Sequence, residues 1–170
     1  NTFEEINWTN NTGSALSVYA AVILNTGNAV DLELFERSGS TFEHATPAGS
    51  LTSPNNNTAA NCLVIGAVPF RTYDDGNIAS YSSQGPTNSG ARGIDLVGPT
   101  NTFTLAYNGD FGGTSCATPN VAGTAVALWS SVPLYNADGV RILLLHLAQN
   151  HHDWGGAGPD PVYGYGGVHL

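Results

Sequence analysis

The chain has 170 residues, room for one domain with its own core, and its 4 basic against 13 acidic residues give a net charge of −9. That balance excludes nucleic acid and anionic membrane surfaces as natural partners. Charged residues are only 10 % of the chain while Asn, Thr, Ser and Gly are plentiful, a composition suited to an extracellular or salt-tolerant protein. The sequence has no methionine, no signal-type stretch and no apolar run of transmembrane length, so its start at Asn1 reads as a processed or excised product.

Residues 1–46 read as β. Leu16, Val18, Ala20 and Val22 alternate, Tyr19–Leu24 is strand-like, and Asp31–Phe35 forms a second alternating run. Asn10-Asn11-Thr12-Gly13 and Asn25-Thr26-Gly27-Asn28 supply turns. Together these predict a few antiparallel strands of a sandwich-like module. Sequons at Asn7, Asn10 and Asn56 are what so Asn-rich a chain produces by chance.

Cys62–Val68 is a short unbroken apolar run closed by Pro69, the pattern of a strand buried on both faces. Asp74-Asp75-Gly76-Asn77 resembles a calcium turn but lacks the further spaced carboxylates of a full loop, so a hairpin turn is expected. Phe103–Tyr107 reads as a strand and Asn108-Gly109-Asp110 as the turn after it. Gly112 and Gly113 then free the backbone, Thr114 and Ser115 are good N-cap types, and Pro119 suits a first helical turn. Val121–Leu128 is apolar nearly all round, as in a helix buried in a core. Ser131-Val132-Pro133 ends it, and Asn136 caps a second helix over about 137–148 whose Val140, Leu143, Leu144 and Leu147 share one face. A hydroxyl at the mouth of the first helix lies beside unpaired N–H groups and the positive end of the helix dipole, where a nucleophile and an oxyanion site can coincide.

Gly113-Thr114-Ser115-Cys116-Ala117-Thr118-Pro119 with Val121-Ala122-Gly123 resembles the nucleophile segment of subtilisin-like serine proteases. Val64–Val68 resembles that family's Val-Gly-Ala-Val core strand, Ile78–Pro86 its "fSs-GP" segment, and Asp95–Pro99 its Asp-x-x-Ala-Pro strand, with Gly98 in place of Ala. Asp153–Val168 is similar to its glycine-rich close. The family usually has His after the Pro, where this chain has Asn120. The resemblance spans about residues 46–170. It implies an α/β fold, a partial subtilisin-like three-layer arrangement of parallel-sheet strands and helices, with an N-terminal antiparallel β segment. Residues 1–46 would be the end of an inserted β-sandwich-like module, and 47–170 the C-terminal half of a protease domain entered through Thr46–Leu51.

By the same resemblance Ser115 is the catalytic nucleophile of a secreted serine endopeptidase. The family's motifs for the catalytic Asp and His lie upstream of the serine, as does its oxyanion Asn; neither a Gly-Thr-His-Val-type motif nor a strand ending in Asp-x-Gly occurs here. The chain by itself is therefore expected to be inactive, its partners being a protein or peptide substrate and the upstream half of the domain. The alternative is a non-catalytic subtilisin-like binding or structural module. Asn28 faintly matches the oxyanion Asn but suits a hairpin better, and Asp95 reads as structural. His44 reads as a surface or strand-end residue, His146 as packed between leucines, and His169 as a loose chain end. His151-His152-Asp153 has metal-ligand chemistry but reads as a surface loop, since adjacent histidines do not easily face one metal. No cofactor or metal site is implied; a structural calcium has no assignable ligands. Cys62 and Cys116 leave two free thiols and one bridge both open.

Overall fold

The structure, a computed structural model, describes residues 5–29, 32, 34, 48, 49 and 62–169. The chain divides into two units, Asn1–Phe42 and Glu43–Leu170.

In the first unit, residues 5–29 are exposed and form no strand. The alternation of Leu16, Val18 and Val22 is real, but strand geometry persists only where a neighbouring strand takes up its N–H and C=O groups. The expected turns are present. Asn10 Oδ1 accepts from the Thr12 amide at 3.0 Å, Gly13 follows at φ 74°, and Gly27 sits at φ 100° in the second bend. The strand expected over Asp31–Phe35 lies mostly outside the described residues, as do His44, the sequon at Asn56 and most of Thr46–Leu51.

The second unit is α/β. Strand β1 (Ile65–Pro69) pairs in parallel with β2 (Leu96–Thr100), Gly66 opposite Val97 and Ala67 opposite Gly98. Gly66, Ala67 and Val68 are buried, as the unbroken apolar run requires. The chain end extends the sheet on the other edge of β2. The Val97 amide donates to Gly166 O at 3.0 Å and the Val168 amide to Val97 O at 2.9 Å. Tyr73, just past a short 3-10 turn (Phe70–Thr72), has its hydroxyl 3.1 Å from both the Val97 and Val168 carbonyls. The Asp74–Asn77 segment that follows is a turn on the way to β2 and closes no hairpin. The hairpin lies later, between β3 (Thr102–Thr104) and β4 (Gly109–Phe111), so Leu105–Asn108 turn and Asp110 sits in a strand. This is the antiparallel pair among the described residues.

Helix α1 (Thr114–Ser131) crosses β1 and β2, and α2 (Ala137–His151) packs beside it. Their shared core is built on Leu96, Val121, Leu128, Val140 and Leu144. Asn136 caps α2 as expected, its Oδ1 accepting from the Gly139 amide at 2.9 Å. Helix α1 departs from expectation in two ways. It is buried on one side only: Ala122, Gly123, Val126, Ala127 and Trp129 are exposed. Pro119 is also its sixth residue rather than in the first turn, so it has no N–H to return to the Ser115 carbonyl.

Candidate active site

Parallel β strands deliver their carboxyl ends to one edge of a sheet, where open α/β folds build their sites. Thr100 ends β2, and Ser115 is the second residue of α1, started beside it. The helix begins from Gly113 at φ 86° and ψ 169°, a backbone state in which a β-carbon is strained, and no side chain caps it. Thr114 and Ser115, read as cap types, are thus inside the helix. The geometry that a cap hydroxyl would have secured is supplied instead by residues distant in sequence. The Thr100 hydroxyl donates to Gly113 O at 2.9 Å, Tyr81 and Thr100 oxygens are 3.1 Å apart, and the Gly113 amide donates to the Tyr81 oxygen at 3.2 Å.

Ser115 itself is exposed, and among the described residues its hydroxyl makes no hydrogen bond. The Cys116 and Ala117 amides both return to Gly113 O, at 2.9 and 3.3 Å. The amides of Thr114 and Ser115 precede the first helical bond and point out of the helix end. A free hydroxyl therefore stands beside two free N–H groups at the positive end of an 18-residue helix.

The neighbouring residues are structural. Cys116 is buried, 2 % exposed, with Sγ 3.2 Å from the Thr102 hydroxyl. Burial opposes its ionisation, but hydrogen bonds led by Thr102 outweigh this and lower the thiol below its ordinary value. No disulfide joins Cys62 to Cys116. Asn120 donates from Nδ2 to the Pro99 carbonyl at 2.9 Å, with the Thr102 hydroxyl at 3.4 Å. It thereby ties the first turns of α1 to the end of β2 and the start of β3.

Asp95 lies at the opposite end of β2 from this turn, about 16 Å away at roughly 3.3 Å per residue over five residues. Its Oδ2 accepts from the Val64 amide at 2.8 Å and its Oδ1 from Arg92 at 3.1 Å, joining the starts of β1 and β2. None of the contacts made by the described histidines reaches Ser115. His146, expected to be packed, is exposed and bonds Asn150 at 2.8 Å. His151, expected in a surface loop, ends α2 with His152 as its C-cap, and the His169 expected to be loose packs on both. The ring centroids of His151 and His169 are 4.2 Å apart, those of His152 and His169 5.1 Å, and His152 stacks on Trp154 at 4.9 Å. Among the described residues no group of three or more His, Cys, Asp or Glu is arranged to hold a metal ion. Nor is any helix long and apolar enough to cross a membrane.

Comparison with known proteins accounts for this arrangement. A family model described as the subtilase family matches residues 3–166. The chain belongs to the subtilase family. The match begins well upstream of residue 46, where the recognisable sequence segments start. No curated protein matches. Among 27 matching chains of solved structures is a crystal structure of a lanthipeptide protease, 22 % identical with a TM-score of 0.50. The match covers 71 % of this chain and 47 % of that one, so this subtilase chain spans about half the length of its structural relative, and the likeness is one of fold.

Sequence reasoning found Ser115 and its glycine turn but not the residues that hold them. Tyr81 and Thr100 carry no local signal, lying 32 and 13 residues from Gly113. Asn120 was visible only as a departure from the family's histidine.

Proposed function

We propose that Ser115 is the acyl-forming nucleophile of a secreted serine endopeptidase, completed by an acid, a base and an asparagine oxyanion donor from an upstream segment. The observation that carries this reading is the exposed, unbonded Ser115 hydroxyl beside the free Thr114 and Ser115 amides at the start of α1. In the reaction, Oγ attacks the scissile carbonyl carbon and its proton passes to the base. The negative charge gathers on the carbonyl oxygen, which accepts from the Ser115 N–H, and the amine leaves with the base's proton. Water then hydrolyses the ester by the same steps in reverse. The exposed apolar side of α1, with Val126 67 % and Trp129 43 % exposed, suits cover by such an upstream segment. So does the relative's length, about twice that spanned here.

The test is the intact mass of the chain after exposure to a fluorophosphonate, which phosphonylates only activated serines with loss of fluoride, with Ser115→Ala as control. The chain by itself is expected to stay unlabelled, and to be labelled once, at Ser115, when joined to the upstream segment. Labelling of the chain alone would place a base within these 170 residues and overturn the incomplete-triad reading. No labelling in the completed domain would overturn Ser115 as nucleophile.

A further inference from the structure

The three bonds around Gly113 have only one consistent assignment of hydrogens. The Gly113 carbonyl can only accept, so the single hydroxyl hydrogen of Thr100 is spent on it at 2.9 Å. The 3.1 Å contact between Tyr81 and Thr100 must then be the phenol donating to Thr100 Oγ1. That leaves the phenol oxygen as acceptor for the Gly113 amide at 3.2 Å. The bonds close a ring from Gly113 N–H through Tyr81 and Thr100 back to Gly113 C=O, each member polarising the next. Thr100 is fully buried in the sheet whereas Tyr81 is 51 % exposed, so the phenol bridges buried strand and open site.

What the ring grips is a turn built of two glycines. Gly112 and Gly113 lack side chains, and Gly113 is at φ 86°, so local sterics do not fix the direction in which α1 sets out. Among the described residues the Gly113 amide has one partner, the Tyr81 oxygen. We infer that Tyr81 is a positioning residue, whose hydroxyl fixes the Gly113 peptide and with it the direction of the Ser115 hydroxyl and N–H. This rests on the proposed role of Ser115 for its catalytic consequence, though not for the clamp itself. A nucleophile misplaced by about 1 Å loses on the order of a hundredfold in rate, so a single hydroxyl at this point is worth placing.

Tyr81→Phe removes only the hydroxyl; Thr100→Val removes the other link at constant shape; Thr100→Ser retains it. Amide hydrogen exchange of the full 170-residue chain, read residue by residue by NMR, separates a local clamp from general stability. The Gly113 amide is expected to exchange about tenfold faster in Tyr81→Phe and Thr100→Val and at the original rate in Thr100→Ser, with Leu128 inside α1 unchanged in all three. Equal Gly113 rates in Tyr81→Phe and the parent chain would overturn the inference. So would a rise shared equally by Gly113 and Leu128, which marks a merely structural residue. Fluorophosphonate labelling of the completed domain is the second arm, expected about tenfold slower in Tyr81→Phe with an unchanged melting temperature. Failure of the parent domain to label would count against Ser115 as nucleophile, while the exchange rates would still decide the clamp.

Discussion

The alanine that the family's strand pattern carries at position 98 does not fit this chain. A β-carbon on Gly98 would lie 2.6 Å from Val121 Cγ2 and 2.7 Å from the Ala117 carbonyl oxygen, against about 3.5–4.0 Å for an unstrained carbon contact. Neither neighbour yields easily. Val121 is β-branched, 3 % exposed and held to one rotamer in the helix, and the Ala117 carbonyl belongs to the helix backbone. Gly98→Ala must therefore lift α1 off β2. Overpacking of this kind costs about 1–3 kcal/mol, and the reduced freedom of the unfolded chain returns about 0.4–1 kcal/mol, leaving about 1.3 kcal/mol of destabilisation at mid-range. With a urea dependence of about 2 kcal/mol per molar, the unfolding midpoint should fall by about 0.5–1 M. Adding Val121→Ala removes one of the two clashes but not the carbonyl. The double variant should thus be more stable than the sum of its parts by about 1 kcal/mol. An unchanged or raised midpoint for Gly98→Ala would refute the argument, because it would mean that α1 and β2 do not approach as closely as the geometry requires.

Two pH effects follow from buried groups. Burial pushes the Tyr73 phenol well above its ordinary value of 10.0, so above that pH the unfolded chain loses a proton that the folded chain keeps. Its contribution is fully present below pH 10 and is lost at higher pH by up to about 1.4 kcal/mol per unit, a slope that Tyr73→Phe should remove in alkaline urea titrations. His152 behaves in the opposite sense. Burial first, then the charges of His169 and His151, lower it from 6.5 against the pull of Asp74. The unfolded chain then binds the extra proton, and stability should fall as pH drops below about 6.5. The fall in urea midpoint between pH 7.5 and pH 5 should be smaller in His152→Gln; an equal fall would sink this assignment.

Features set by near neighbours in sequence were legible in it. The buried strand before Pro69 follows from an unbroken apolar run, the Asn136 cap from a side chain reaching three residues ahead, and the core face of α2 from helical spacing. The subtilase fold was legible too, because the glycine turn, Ser115 and the small residues of α1 stand together in the chain. The N-terminal alternation shows the limit of such signals: period two says which face a strand would bury, not whether a partner takes up its backbone bonds.

What surrounds Ser115 was decided by tertiary packing. Gly113, not Thr114 or Ser115, starts α1, because Thr100 and Tyr81 hold its peptide from 13 and 32 residues away. Asn120 reaches Pro99, and the last turn of α2 and the chain end bring three histidines together, one of them stacked on Trp154. These contacts exist only once α1 lies against β2 and the chain end lies beside it. Hydrogen bonds and ring contacts depend on distance in space, and a linear sequence records distance only between near neighbours.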